Sequence, residues 1–223
     1  MDRNPYNICT LNPESECEDC IIHNKLHCKL DKNRQKKSLT LVFSVIIITT
    51  AGTILTGLFT NTWWMTVTYL IFLILFFLVI EPRLTCSHCP YYAEKRKIQN
   101  CTSNRISPKL WKYHPEPMNK YEKIGSTIGF IFLALFPIAT ELYGILFLIK
   151  NPTNTTFLPL LELSVITLAS FGSIILFFIT FIVFYCPYCL NFSCQFNKAP
   201  KNLAKIYIEK NPVIKNAMNR TEN

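Results

Sequence analysis

The chain has 223 residues, of which 50% are hydrophobic and 17% charged, and carries a formal charge of +9. Ordinary soluble domains are about a quarter charged, and here the charges are bunched between long apolar runs, which argues against a soluble one- or two-domain protein. A basic excess placed between apolar runs is a topology signal of membrane proteins and needs no nucleic acid to explain it.

Residues 1–37 are polar, and no apolar stretch there is long enough for the core of a cleavable signal peptide, so none is expected. Cys9, Cys17, Cys20 and Cys28 form a C-x7-C-x2-C-x7-C pattern with His23 and His27 interleaved. With no evident apolar core of its own, this segment is expected to be either a metal-ordered knuckle or disordered.

From Ser38 to Ile80 run 43 residues without Asp, Glu, Lys, Arg or His. One helix of that length would extend about 65 Å, twice the hydrocarbon thickness of about 30 Å, so the run must fold back. Thr60-Asn61-Thr62 is the polar break, followed by Trp63-Trp64, which suit a membrane interface. Spans are therefore predicted near 38–60 and 63–81, the second ended by Glu81-Pro82. In the first, Thr49, Gly52, Thr53, Thr56, Gly57 and Thr60 share a helix face and predict close helix packing.

Cys86-Ser-His-Cys89 follows, with Cys101 beyond it. Residues 103–123 hold Pro108, Pro115, Pro117, Trp111, Tyr113 and Tyr121 among lysines and read as a loop lying on the membrane surface. Two more apolar runs come next: 124–149, whose one acid is Glu141, and 157–185, whose one acid is Glu162. A breaker-rich turn, 150–156, separates them. The two carboxyls sit about 14 and 9 Å from that turn by helix rise. They are either a coupled functional site, as costly intramembrane acids tend to be, or two packed neutral carboxyls.

Cys186-Pro-Tyr-Cys189 and Cys194 open the last segment. Residues 200–210 are expected to form a short basic amphipathic helix with Leu203, Ile206 and Tyr207 on one side. Asn211-Pro212 resembles an N-cap with Pro at the first helical position of another. Such a tail suits anionic lipid, a protein partner being the alternative.

Counting Lys and Arg fixes the expected orientation: seven lie in the N-terminal segment, nine in 82–123, six in the C-terminal segment, and only Lys150 on the other side. The positive-inside rule then puts both termini and all ten cysteines in the cytoplasm. The predicted fold is an all-α membrane protein of four transmembrane helices arranged as two repeated helical hairpins, with cysteine-rich cytoplasmic segments. Its divisions are 1–37, a first hairpin 38–81, a loop 82–123, a second hairpin 124–185 and a tail 186–223.

Thiols in a reducing compartment favour metal binding over disulfides. Four-span bundles with cysteine pairs also occur among quinone-linked disulfide-forming enzymes, but those place the pairs on the oxidising side, so the likeness fails here. Each half of this chain reads hairpin, C-x2-C, third cysteine, with Pro-Tyr adjacent (Pro90-Tyr91, Pro187-Tyr188). Repeat symmetry would carry Cys86, Cys89, Cys186 and Cys189 to one depth, where four thiolates match zinc or part of an iron–sulfur site. Cys101 and Cys194 extend this to six, or to two three-thiolate sites completed by His88, His114 or an external ligand. Acylated or simply buried thiols are the plainer alternative. Three functions follow in order: a membrane-anchored protein with structural or partner-serving metal sites, a redox component using an iron–sulfur site, and a small ion or metal transporter using Glu141 and Glu162. No complete catalytic motif occurs, so an enzyme is not favoured. The expected partners are the bilayer, anionic lipid and an unidentified protein.

Overall fold

A computed structural model of the chain describes residues 4–12, 20–152 and 157–221. Cys17 lies outside the described residues, as does most of the turn after Lys150. The described residues form helices and short helical turns, with one isolated bridge between Ile98 and Pro108. Four helices are long and apolar enough to cross a membrane, which makes this a multi-pass membrane protein in architecture.

The first helix, α1 (Lys32–Thr60), starts six residues ahead of the apolar run. Asp31 sets that start: its Oδ1 accepts the amides of Asn33 (2.8 Å) and Arg34 (3.2 Å), satisfying two of the donors a helix start leaves over. The predicted break at Thr60-Asn61-Thr62 is present. Asn61 takes φ 55°, the left-handed conformation that asparagine tolerates better than most side chains. Chain direction then reverses into α2 (Trp64–Leu75), whose last turns loosen into a π-helical segment, Phe76–Ile80, before a single helical turn, α3 (Glu81–Leu84). In π register Phe77 would bond residue 82, which is proline and has no N–H. The Ser107 hydroxyl donates to the Phe77 carbonyl instead, at 2.7 Å.

α4 (Lys120–Lys150) begins with a reciprocal capping box that the sequence reading did not single out. Asn119 Oδ1 accepts from the Glu122 amide, and Glu122 Oε2 accepts from the Asn119 amide, each at 2.9 Å. α5 (Phe157–Thr180) ends, like α2, in a π-helical turn, Phe181–Tyr185. Two short helices close the chain, α6 (Lys201–Glu209) and α7 (Pro212–Thr221).

Contacts divide the chain into two units. The first comprises residues 1–39, 77–126 and 180–223; the second comprises 40–76 and 127–179. The second unit is built from the middle portions of the four long helices. Thr49, Thr53 and Thr56 are fully buried there, as the small-residue face of α1 predicts. Thr49 shares a 2.9 Å hydrogen bond with the Tyr69 hydroxyl, and Thr66 donates to the Thr53 carbonyl at 2.7 Å. Aromatic rings fill the same unit, with Phe72 and Phe132 centroids 4.2 Å apart. Outward-facing Ile47, Leu135 and Leu168 are each more than half exposed, a surface that fits lipid and not water.

Glu141 is completely buried in this unit, pressed against Gly52, and Ser170 donates to its Oε1 at 2.8 Å. Glu162 is exposed. The two acids therefore occupy different environments, and the coupled carboxylate pair is not what the structure builds.

Candidate functional site

The first unit has its own core, drawn from all three cysteine-bearing segments. Ile8, Ile22 and Leu26 of the N-terminal stretch are buried in it beside Tyr91, Tyr92, Leu190, Leu203 and Tyr207. That stretch is thus held by apolar contacts as well as by polar ones, which its composition did not announce. The apolar sides of α6 and α7 face inward, with Tyr207 fully buried and its hydroxyl 2.6 Å from Thr10 Oγ1.

Asn211 stands just ahead of α7, as expected, but its side chain serves the N-terminal stretch. Its Oδ1 accepts the Cys9 amide at 2.8 Å, and its Nδ2 donates to the Tyr207 carbonyl at 2.8 Å and lies 3.3 Å from Cys9 Sγ. Cys20 Sγ lies 3.3 Å from Lys210 Nζ, and Cys28 is buried in the core. Cys9 and Cys20 are therefore engaged separately by the C-terminal helices.

Both C-x2-C motifs form tight helical turns, Cys86–His88 and Cys186–Tyr188, each followed by an extended cysteine. The Cys89 amide returns to the Cys86 carbonyl at 2.9 Å, and the Cys189 amide to the Cys186 carbonyl at 3.4 Å. His27 links the two motifs through its backbone. Its amide donates to the Tyr188 carbonyl at 2.8 Å, and its carbonyl accepts from the Tyr91 hydroxyl at 2.6 Å. The two Pro-Tyr dipeptides noted in the sequence thus grip one residue. Asn191 adds a second tie, donating to the Thr85 carbonyl at 2.8 Å.

Cys89, Cys101 and Cys189 line one cavity of about 40 Å³ together with His27, Tyr91 and Tyr185. A single water needs about 10–15 Å³ on this measure. Burial, reinforced by Cys101 and Cys189, pushes the Cys89 thiol well above its ordinary value. Burial likewise raises Cys101 and Cys194, and lifts Cys189 to about 12. Cys101 is within electrostatic reach of Cys86, Cys89 and Cys189. Its loop is fixed by the buried Gln35, whose Nε2 donates to the Cys101 carbonyl at 2.6 Å.

The remaining members of the six do not line this cavity. Cys86 Sγ points to the Glu81 carboxyl, 3.0 and 3.1 Å from its two oxygens, and Asn104 Nδ2 also approaches Glu81 at 3.4 Å. From the sequence alone Glu81 reads only as the end of a span. Cys194 has Glu81 within electrostatic reach, and Cys186 has Cys194. One cysteine from each C-x2-C pair thus lines the cavity together with Cys101. No disulfide is present among the described residues, and no three His, Cys, Asp or Glu side chains among them are closed into a ready metal-ligand set.

The chain matches no known family model, no curated protein and no solved structure. Its chemistry has to be read from its own residues.

His88, a candidate fourth ligand from the spacing, is engaged away from this cavity. Its Nδ1 is 2.7 Å from the Glu116 carbonyl and its Nε2 3.3 Å from Glu122, with the His114 ring 5.8 Å away. His27 is the histidine at the thiols. Burial, with Arg34 beside it, lowers its pKa to about 4, so its ring is neutral at physiological pH and able to donate a lone pair. Its Nε2 now lies 3.2 Å from Arg34 Nη1. Lys109 braces the same region, its ammonium donating to the carbonyls of Tyr91, Tyr92 and Glu94 at 3.4, 3.0 and 2.7 Å. Burial lowers its pKa to about 8.

Proposed function

We propose that the first unit is a metal-binding module on a four-span membrane anchor, holding a soft metal ion through Cys89, Cys101 and Cys189. The observation that carries this reading is their shared buried cavity with a neutral histidine. Three thiolates and an imidazole are a familiar donor set for structural zinc, and His27 is the fourth donor once it exchanges its Arg34 contact. Without a cation the thiols stay protonated, since burial and mutual repulsion oppose their ionisation. Cys86 and Cys194, both beside Glu81, and Cys186, beside Cys194, are the reserve donors for a second ion. Cys9, Cys17, Cys20 and Cys28 are not needed for this site. The role is structural or serves a partner protein.

The repeated-hairpin reading draws support from two parallels: a π-helical turn ahead of each C-x2-C motif, and matched Pro-Tyr contacts to His27. The exposed Lys201, Lys205 and Lys215 on α6 and α7 offer a basic face to anionic lipid.

Protein purified without oxygen is expected to be colourless and to contain about one zinc per chain. Brown protein with iron and acid-labile sulfide would replace this with the redox reading. Metal-free protein in which every thiol reacts on unfolding would remove both. The cytoplasmic placement of the cysteines rests on 22 of 23 Lys and Arg residues lying on their side. In intact cells a membrane-impermeant thiol reagent should leave the native cysteines unlabelled, and strong external labelling of Cys189 would reverse the orientation.

A further inference from the structure

Away from the thiols, the first unit contains an open cavity of about 650 Å³ lined by Lys32, Arg96, Lys97 and Arg105, with no acidic residue in its lining. Among the described residues Arg96 is paired with Glu94 at 2.6 Å, while no ion pair holds Lys32, Lys97 or Arg105. Three like charges held by no ion pair around one space repel, and an anion placed there relieves that repulsion.

The walls are fixed in advance. Gln35, in the first turn of α1, donates to Asn100 Oδ1 at 3.2 Å as well as to the Cys101 carbonyl. The loop carrying the cations is a narrow ribbon: the Gln99 amide donates to the Ser107 carbonyl at 2.9 Å, and the Lys109 amide to the Lys97 carbonyl at 2.8 Å. Lys97 and Arg105 therefore stand on opposite strands of a braced turn, and Lys32 faces the same space from the start of α1.

We propose that this cavity binds a phosphate monoester carried on a larger group. A monoester is close to a dianion at neutral pH and offers three acceptor oxygens. Guanidinium groups match such oxygens in pairs, and lysines add point charge. The volume falls within the range of small-molecule sites, about 300–1,000 Å³, and far exceeds what bare phosphate needs. Lys32 and Gln35 precede Ser38, where the apolar run begins, by about 5–9 Å along the helix. A phosphorylated lipid headgroup and a soluble phosphorylated metabolite share this chemistry.

The test uses detergent-purified full-length protein and follows thermal unfolding with three probes: inorganic phosphate, short-chain phosphatidylinositol 4-phosphate, and short-chain phosphatidylcholine. The phosphoinositide is expected to raise the melting temperature and phosphatidylcholine to leave it unchanged. A rise with inorganic phosphate at the same concentration assigns the site to soluble phosphates; a rise with the lipid alone assigns it to headgroups. Lys97→Gln with Arg105→Gln should weaken the response by about tenfold or more, the loss of two charge-assisted contacts. Lys25→Gln with Lys29→Gln, exposed cations of the same unit outside the cavity, should leave it intact. The proposal is overturned by no response to either phosphate probe, by an equal response to phosphatidylcholine, or by an equal loss in the Lys25 and Lys29 variant.

Discussion

Protein carrying Cys101→Ser is expected to lose most of its bound metal and to unfold at a lower temperature, with both losses moving together. Cys101 lines the cavity with Cys89 and Cys189 and lies within electrostatic reach of Cys86 as well, so its removal leaves no three-thiolate set in the cavity. Metal binding at a structural zinc site contributes about 10–16 kcal/mol in isolated peptides, far above the cost of one buried S–H to O–H change, about 1 kcal/mol. Adding Cys89→Ser or Cys189→Ser should cost little more, because the first substitution has already broken the shared site. Cys20→Ser, whose sulfur is 3.3 Å from Lys210 and outside the cavity, should keep full metal content. Chelator-treated wild type and Cys101→Ser should melt at nearly the same temperature. If they differ as much after chelation as before, the effect of Cys101 is packing and not ligation.

Gly52→Val should destabilise the second unit by about 3 kcal/mol, at the upper end of overpacking costs. Even a single added Cβ at residue 52 would run into the Glu141 carboxyl, which Ser170 holds from the other side at 2.8 Å. Glu141 is fully buried, so its carboxyl has to find room within the core and give up its Ser170 contact. Glu141→Ala opens the space, so the double variant should recover most of the loss relative to Glu141→Ala alone. A denaturation cycle showing strictly additive effects would mean that residue 52 meets something other than this side chain.

The chain's division into spans was legible because bilayer thickness is a hard length constraint. A 43-residue run without an ionisable side chain had to break, and Thr60-Asn61-Thr62 was its polar point; Asn61 turns there in the left-handed conformation. The small-residue face of α1 was legible for a similar reason, since helical periodicity puts Thr49, Thr53 and Thr56 in one line. Starts of helices were less so. Asp31 and the Asn119–Glu122 pair extend α1 and α4 beyond their apolar runs through local capping, which a search for hydrophobic length passes over.

The thiol cavity was legible in its membership and not in its pairing. Spacing placed Cys89, Cys101 and Cys189 among six candidates, but spacing alone does not say which cysteine of each C-x2-C pair lines the cavity. Which sulfur faces inward depends on neighbours far along the chain: Glu81 turns Cys86 aside, and His27 arrives from the N-terminal stretch. The role of Asn211 was hidden in the same way, since its side chain acts on a residue 202 positions away. The carboxyls of Glu141 and Glu162 looked equivalent by depth along their helices, but helix rotation, which buries one and exposes the other, is set by packing.

The tie between Cys9 and Asn211 has a consequence for biosynthesis. Asn211 is translated 202 residues after Cys9, an interval of about 10–40 s at ordinary elongation rates of about 5–20 residues per second. For most of that interval the N-terminal stretch lacks both the helices that later cover Ile8 and, until residue 188 has been made, the Tyr188 carbonyl that anchors His27. The nascent chain therefore displays Ile8 and the other apolar side chains of this stretch until α6 and α7 emerge, and the first unit closes only after the four spans have been made.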